Sequence, residues 1–406
     1  MAPLEGIKVL EIGVAMAGPY CGMLLADYGA DVVKIERMGD GDESRQWAPF
    51  FADQVSHYFA SINRSKRSVA VNLKQADGVA VVRKLASDCD VLVDNFRPGA
   101  LEELGLGYAA LAAENPRLIY CSISGFGANG PLSKQRANDV AIQAFSGGMS
   151  ITGEPGGSPV KMGISVADIG AGMFGAIGIL MALEARHRTG RGQRVDTSLL
   201  EGQIAMLSYH VAAYFATGRV PRAMGSAAQG LVPYQAFQAA DGWMVVAVFT
   251  DRMWRDLCDV ISRPEWANDP RFDSPAKRKQ NRNQIIPVLE ALFHDRPFAY
   301  WNERLTAVGI PCTGVNTIDQ AVHSEQAQAR DLVVELQHPA AGAMQLAGLP
   351  IKLADTPGAI VRPPPVLGEH TSEVLIGSGY STAEIDSLAR AGVVQLADAS
   401  IEAASR

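Results

Sequence analysis

The first third of the chain alternates short apolar runs with stretches in which apolar residues recur at helical spacing. Apolar runs predict four strands, at residues 7–13, 31–35, 90–94 and 118–123. Helical spacing marks residues 22–29 and 77–87 instead. Strands that alternate with helices form a parallel sheet covered by helices. We therefore expect an α/β fold whose large domain is Rossmann-like.

The pattern changes near residue 185, where a basic turn at residues 186–194 precedes a long helical pattern at 195–215. A distinct block follows at residues 225–320 and includes a predicted strand at 243–248. We predict a large domain built from residues 1–205 together with 325–406, a linker helix at 206–224, and a smaller α+β domain at 225–324. A length of 406 residues, with 48% hydrophobic, supports two domains, because one ordinary core rarely grows so large.

Composition limits the cellular compartments and the classes of binding partner that we expect for this protein. Five cysteines without a C-x-x-C pair predict a reducing compartment, with neither a disulfide framework nor a metal site. The N-terminal residues lack the basic-then-apolar order of a signal peptide, so we expect a cytoplasmic protein. The uncharged apolar run at 169–183 is shorter than the roughly 20 residues that span a bilayer, which predicts a buried helix and no membrane partner. A net charge of −7 disfavours nucleic acid as a partner.

Most sequence motifs of common catalytic sites are absent. Residues 125–130 fit G-x-G-x-x-G after a predicted strand, but residues 131–136 read as another loop, where the motif needs a helix to meet a pyrophosphate. Neither H-E-x-x-H nor G-x-S-x-G occurs, so metal-dependent hydrolysis and serine acyl transfer lack support. Carboxylates remain as the candidate reactive groups.

One carboxylate, Asp168, stands alone among apolar and small residues at 163–175. It could cap a helix that begins near Ile169, which is an ordinary structural role. Glycines at 170, 172 and 175 favour a role beyond capping for this segment, since each glycine destabilises a helix by about 1 kcal/mol relative to alanine. They suit a close approach to a ligand or to another helix. The residues alone leave both interpretations open.

An ordered set of short segments runs from end to end of the chain. It comprises residues 4–10, 17–19, 29–37, 63–68, 94–99, 115–119, 189–193 and 367–371. Together these segments resemble the class III coenzyme A transferases, the CaiB/BaiF family that includes formyl-CoA transferase. Each segment is weak evidence by itself, but the ordered set is specific and covers essentially the whole chain.

The resemblance implies an interlocked homodimer and a covalent mechanism. The family's nucleophilic aspartate corresponds to Asp168, which would form an aspartyl anhydride and then an aspartyl-CoA thioester. A coenzyme A thioester and a small carboxylic acid would be the substrates, with no permanently bound cofactor and no metal. The family's coenzyme A contacts correspond to Arg37, Val71, Lys74, Asn95, Phe96 and, as an addition, Arg97. The segment from Gly225 to Gly230 lies where relatives carry a mobile loop over the active site.

Residues 232–237 and 362–368 look most like the branch that uses succinyl-CoA and dicarboxylic acids such as glutarate, itaconate, malate or mesaconate. A second carboxylate needs a cation, and His57, Arg64 and Arg136 are the candidates. Two alternatives stay open. An α-methylacyl-CoA racemase has a His-Asp pair where this chain has Asn138 and Asp139, and a thioesterase would let water take the anhydride.

Overall fold

The computed structural model describes residues 1–397 and divides into two compact units. The first comprises Met1–Gly148, Lys161–Gly218 and the chain from Gln326 on, and the second comprises Met149–Val160 and Arg219–Glu325. Residues 149–160, which the sequence places in the large domain, join the second unit, where the amide of Gly225 donates to the carbonyl of Gly153 at 2.8 Å. The predicted linker helix at 206–224 is replaced by a helix at 208–217 that belongs to the first unit. This helix ends at Gly218, which has the left-handed conformation (φ 66°) common at helix C-termini.

Strands and helices are numbered in chain order. The strands are β1 (Lys8–Ile12), β2 (Asp31–Glu36), β3 (Phe50–Phe51), β4 (Val55–Ser56), β5 (Arg67–Val71), β6 (Val91–Asp94), β7 (Ile119–Ser124), β8 (Arg194–Ser198), β9 (Tyr234–Ala239), β10 (Gly242–Ala247), β11 (Cys312–Gly314), β12 (Val333–His338), β13 (Gly342–Ala347) and β14 (Val394–Gln395). The helices are α1 (Ala17–Asp27), α2 (His57–Asn63), α3 (Ala76–Ser87), α4 (Ala100–Glu103), α5 (Tyr108–Glu114), α6 (Asp139–Phe145), α7 (Val166–Thr189), α8 (Leu199–Met206), α9 (Ser208–Thr217), α10 (Asp251–Val260), α11 (Pro275–Gln280), α12 (Arg282–His294), α13 (Phe298–Ala307), α14 (Ile318–Val322), α15 (Glu325–Ala329), α16 (Thr371–Gly377) and α17 (Thr382–Arg390).

A seven-stranded sheet in the order β14-β5-β2-β1-β6-β7-β8 forms the centre of the first unit. Strand β14 pairs antiparallel with β5 at the edge, and the other six strands are parallel. Their chain order runs outward from β1 in both directions, which is the doubly wound arrangement. The predicted α/β fold with a parallel sheet is confirmed.

Alternation along β1 shows how the sheet is buried on both faces. Leu10 and Ile12 point into one apolar cluster with residues of α3, α5 and α16. Val9 points to the other face, into a cluster with residues of α1 and α7. Strands covered on both faces are almost continuously apolar, which is why the sequence pattern identified them.

Helix α7 differs from its prediction in start and burial. It begins at Val166, three residues before the predicted start, and runs for 24 residues. By length and composition alone it could cross a membrane, and half of its most apolar stretch lies buried inside the protein. One face packs on the sheet, while Met173, Ile177 and Met181 on another face are exposed. The prediction of a helix is therefore right, but only part of this helix is buried.

The helical pattern at 195–215 is not one helix. Residues 194–198 form β8, which pairs with β7, and Ser198 then caps α8 by accepting a hydrogen bond from the amide of Glu201 at 3.1 Å. Pairing with a neighbouring strand overrides the local pattern here, because a strand partner distant in sequence is invisible to a helical window.

The second unit contains a three-stranded antiparallel sheet in the order β11-β10-β9. Helices α10, α12 and α13 pack against it around an aromatic core that includes Phe237, Trp254, Phe293 and Trp301. Edge-to-face contacts hold this core, with ring centroids of Phe237 and Phe293 5.0 Å apart.

Candidate active site

Asp168 lies in the first turn of α7, three residues after Ser165, which occupies the N-cap position. The interpretation of Asp168 as the helix cap is therefore wrong. Among residues 1–397, none donates a hydrogen bond to its carboxylate, which leaves the oxygens available to react. Burial, and after it the negative charge of Asp139, raises the pKa of Asp168 to about 7. A carboxylate with such a pKa is a stronger base and nucleophile than one in water.

Helix α6 holds the chain that leads into α7. One carboxylate oxygen of Asp139 accepts from the amide of Ala167 at 2.8 Å, and the other accepts from the side-chain amide of Gln143 at 2.6 Å. Gln143 also accepts from the amide of Met162 at 2.8 Å. The pair Asp139 and Gln143 therefore fixes the backbone on both sides of Ser165, and with it the position of Asp168.

The glycines of α7 are explained by close packing rather than by a ligand. A Cβ on Gly172 would lie 2.7 Å from the carbonyl oxygen of Ala17 in α1, and one on Gly175 would lie 2.8 Å from Cδ1 of Ile123 in β7. Both distances are shorter than real Cβ contacts. Glycine at these positions lets α7 approach α1 and the sheet closely, and so places Asp168 beside the amino end of α1.

A tyrosine lies close enough to Asp168 to be affected by its charge, and the hydroxyl of this residue, Tyr58, forms a hydrogen bond with the side chain of Ser165. Burial, followed by the charges of Asp168 and Asp139, raises the pKa of Tyr58 to about 12, so this hydroxyl stays protonated at neutral pH. The ring of Trp47 meets that of Tyr58 edge to face, with centroids 4.7 Å apart. Sequence reasoning missed Tyr58, because nothing local connects it to an aspartate more than a hundred residues further on.

A cavity of about 710 Å³ opens at the carboxyl ends of β1, β2 and β5. This edge is where doubly wound sheets bind ligands. Its lining is Ile12, Gly13, Val14, Ile35, Glu36, Arg37, Met38, Asp40, Gly41, Asp42, Glu43, Val71, Asn72, Leu73, Lys74 and Phe96. Four of the residues predicted to contact coenzyme A, namely Arg37, Val71, Lys74 and Phe96, are brought together here.

These four residues offer different chemistry. Arg37 and Lys74 are exposed, so both cations can reach phosphate groups. Arg37 also forms a long, exposed ion pair with Asp40, at 3.7 Å. Phe96 is half-buried and can pack on a planar ring. Val71 is buried at the end of β5 and can offer backbone groups. The set suits a phosphorylated ligand with an aromatic part.

The other two predicted contacts lie beside the cavity and do not line it. Asn95 holds the turn after β1, because its side chain accepts from the amide of Val14 at 2.9 Å and donates to the carbonyl of Val14 at 2.8 Å. Arg97 is exposed, and its carbonyl accepts from the amide of Ala100 at the start of α4. Direct contact of either residue with a ligand stays a prediction.

Of the three cations proposed for a second carboxylate, Arg64 is already paired. Its side chain is 3% exposed, binds the carboxylate of Asp27 at 2.8 Å and donates to the carbonyl of Ala347. All three of its nitrogens already donate hydrogen bonds within the protein, and its charge is matched by Asp27, so Arg64 is not placed to bind a substrate carboxylate. His57 and Arg136 are exposed, and Nδ1 of His57 lies 2.9 Å from the carbonyl oxygen of Pro49.

The two glycines predicted to cover the active site lie in the second unit. Gly225 has a φ of 58° and Gly230 has open space around it, within a segment that carries neither helix nor strand. Their role as a loop over the substrate stays a prediction.

Two motifs weighed in the sequence have structural roles. Residues 125–130 are followed by loop up to α6, which begins at Asp139, so the helix that a dinucleotide motif requires does not follow. Asn138 caps α6 by accepting from the amide of Ala141 at 3.1 Å. An amide cannot take the proton that the racemase histidine would exchange.

Known proteins resemble this chain over nearly its full length. The family model of CoA-transferase family III matches residues 4–371. Succinyl-CoA:glutarate CoA-transferase of Mus musculus is 37% identical over 396 residues, which cover 97% of this chain and 91% of that protein. Succinyl-CoA:mesaconate CoA-transferase of Haloarcula marismortui is 37% identical over 393 residues, which cover 94% and 98%. The crystal structure of a CAIB/BAIF family protein from Brucella suis matches with a TM-score of 0.83 at 33% identity, over 93% of this chain and 99% of that one.

The resemblance carried by the short segments is thereby confirmed along the whole chain. Both the sequence matches and the structural match cover more than nine-tenths of this chain. The chain belongs to CoA-transferase family III and is an enzyme of that class.

Proposed function

We propose that this enzyme transfers coenzyme A from succinyl-CoA to a dicarboxylic acid, with Asp168 as the covalent nucleophile. The observation that carries the proposal is a partly buried Asp168 carboxylate in the first turn of α7, whose surroundings raise its pKa to about 7. The names of the relatives, which act on succinyl-CoA with glutarate or mesaconate, support the choice of substrates. Itaconate and malate are further acceptors of the same chemistry.

The reaction needs four displacements and no water. The Asp168 carboxylate attacks the thioester carbonyl, the C–S bond breaks, and a mixed anhydride and the CoA thiolate result. The thiolate then attacks the Asp168 carbonyl, which releases succinate and leaves an aspartyl-CoA thioester. The acceptor carboxylate attacks that thioester to give a second anhydride and the thiolate. Attack of the thiolate on the acceptor's acyl carbon forms the new thioester and returns the Asp168 carboxylate.

The cavity described above is the proposed coenzyme A site. Arg37 and Lys74 would bind phosphate groups at its mouth, and Phe96 would pack on the adenine. Asn95 and Arg97 would add contacts from the end of β6. The hydroxyl of Tyr58, which stays protonated, can donate a hydrogen bond to an oxygen of the reacting acyl group beside Asp168. No resident cofactor is needed, because the thioester itself is a substrate.

Trapping the covalent intermediate tests this proposal. The enzyme is incubated with succinyl-CoA, treated with hydroxylamine or borohydride, and digested for mass spectrometry. We expect the modification on Asp168 and loss of transfer in Asp168→Asn. The matched control is Asp196→Asn, which neutralises an exposed aspartate of β8 and should keep full activity. A label on another residue, or an active Asp168→Asn, contradicts the mechanism.

Acceptor dependence separates transfer from hydrolysis. Succinyl-CoA should be consumed only when an acceptor acid is present, and a panel of glutarate, mesaconate, itaconate, malate and oxalate should rank the acceptors. Equal consumption without any acceptor would identify a thioesterase instead. Exchange of the α-hydrogen of a 2-methylacyl-CoA with deuterium from the solvent would identify a racemase.

We further propose that the enzyme acts as an interlocked cytoplasmic homodimer. An apolar face of α7 and α9 is exposed in the single chain, including Met173, Ile177, Met181, Tyr209 and Phe215. Patches of this kind usually mark protein interfaces. Light scattering after size exclusion should give twice the mass of the chain, and Met181→Asp should lower it; a monomer at micromolar concentration contradicts the dimer.

A further inference from the structure

Four charged side chains form a network inside the first unit, and of these four Asp42 also borders the cavity. They are Glu11 of β1, Lys34 of β2, Asp42 of the following loop and Lys66 just before β5, and each side chain is 0% exposed. Lys34 binds Glu11 and Asp42, both at 2.9 Å, and Lys66 binds the other oxygen of Glu11 at 2.8 Å. Two positive and two negative charges leave the network neutral.

Such a network is an inefficient way to gain stability. Four charges lose their hydration, and apolar groups of the same volume often serve a fold as well or better. Charged residues in the middle of strands that are otherwise apolar therefore call for another reason. The backbone groups that the network holds supply one.

The backbone that these side chains hold is the turn at residues 13–15, which joins β1 to α1. The ammonium of Lys34 donates to the carbonyl of Gly13 at 2.8 Å, and the carboxylate of Asp42 accepts from the amide of Ala15 at 3.2 Å. Ala15 has a φ of 61°, a conformation that alanine adopts only when its surroundings impose it. Gly13 and Val14 line the cavity, so the network shapes one wall of it from behind.

The same network reaches the first turn of α1. Lys66 donates to the carbonyl of Pro19 at 2.7 Å and to the side chain of Asn63 at 2.8 Å. The network therefore contacts the turn that lines the cavity and also α1, and α1 in turn packs on α7, the helix that carries Asp168, at Gly172.

Lys34 is the central member. Burial opposes its charge, but the carboxylates of Glu11 and Asp42 hold the pKa of Lys34 above its usual value. It is fully enclosed and therefore cannot touch a ligand. We propose that Lys34 is a positioning residue, which through Glu11, Asp42 and Lys66 presets the turn at residues 13–15 to receive the acyl-CoA. This inference rests on the proposed coenzyme A site in the cavity.

The test is a neutral double variant, Lys34→Met with Glu11→Gln, which removes one charge of each sign. We expect the dissociation constant for coenzyme A, measured by calorimetry, to rise at least tenfold. We also expect faster hydrogen exchange at the amides of residues 13–15. If Lys34→Met alone fails to fold, the double variant decides the matter, because the charges that remain, on Asp42 and Lys66, still sum to zero.

The matched control is Arg186→Met with Asp90→Asn. This pair is joined at 2.9 Å at the opposite end of the sheet, and the Arg186 side chain is 3% exposed. Its removal should lower stability and leave the dissociation constant within twofold. Unchanged binding in the Lys34→Met, Glu11→Gln variant overturns the inference, and so does equal weakening in the control. If the native protein does not bind coenzyme A, the proposed function fails instead.

Discussion

The contact between α1 and α7 at Gly172 allows a sharp test of how Asp168 is positioned. In Gly172→Ala the new methyl group would lie 2.7 Å from the carbonyl oxygen of Ala17 and 3.3 Å from the amide nitrogen of Cys21, whereas ordinary contacts begin at 3.4 Å. The obstacle is helix backbone, which cannot rotate aside. The two helices must separate by roughly 0.7 Å, and overpacking of this kind costs about 1–3 kcal/mol.

The displacement should reach the reacting group. Gly172 is one turn after Asp168 on the same helix, so a shift of α7 moves the carboxylate with it. A misplacement of about 1 Å can cost about a hundredfold in rate. We therefore expect Gly172→Ala to lower kcat at least tenfold, with a lower urea midpoint of unfolding.

Gly170→Ala is the matched control on the same helix. Its added methyl group would meet only the side chain of Met206, with Cε at 2.5 Å and Sδ at 3.4 Å, and Cε is the far end of that flexible side chain. The helix gains about 1 kcal/mol from the replacement of glycine by alanine, so this variant should be at least as stable as the native enzyme and keep its kcat. If Gly172→Ala unfolds at the same urea concentration as Gly170→Ala and keeps kcat within twofold, helix contact does not position Asp168.

Three further predictions follow from the site and its surroundings. Because the pKa of Asp168 is about 7 and the carboxylate must be ionised to attack, kcat/KM for succinyl-CoA should fall about tenfold per pH unit below pH 7. Asp139→Asn removes a negative charge that helps to raise this pKa, so the variant should move the midpoint of the profile to lower pH. A flat profile from pH 5 to 8 would contradict the mechanism. Arg64→Ala leaves the carboxylate of Asp27 buried without its partner, so chemical denaturation should show a loss of about 3–5 kcal/mol in the free energy of unfolding. The preference among acceptor acids should not change, and a changed preference at full stability would restore Arg64 as a substrate ligand. Asn95→Ala removes two hydrogen bonds to the turn after β1 and should weaken coenzyme A binding about tenfold in calorimetry, so binding equal to the native enzyme would remove Asn95 from the site.

Local pattern was enough to predict much of the fold. A parallel strand that is buried on both faces is a nearly continuous apolar run. The strands β1, β2, β6 and β7 were predicted because each run shows this pattern in its own residues, without reference to its partner strands. Asp168 stood out for the same kind of reason, as a single acid within an apolar segment. The reaction class came from the ordered segments, which report a shared ancestry rather than any physical pattern.

Contacts between residues distant in the chain could not be predicted in this way. β8 was mistaken for helix because its pairing partner β7 lies some seventy residues earlier in the chain. Arg64 was a candidate ligand for a substrate carboxylate, yet it is buried in an ion pair with Asp27 of the earlier helix α1. Lys66 is likewise buried, against Glu11 of β1. Burial of a charge depends on what surrounds it in space, and a sequence window does not contain that information.

The sequence by itself determined four strands of the parallel sheet, the presence of a glycine-rich helix near an isolated aspartate, and the reaction class. Only the tertiary structure decided why the glycines are there, that Arg64 is already paired, and that Tyr58 and Asp139 lie near Asp168. The physical reason is that secondary structure follows from the periodicity of neighbouring residues, whereas a carboxylate's reactivity follows from burial and charge contributed by other parts of the chain.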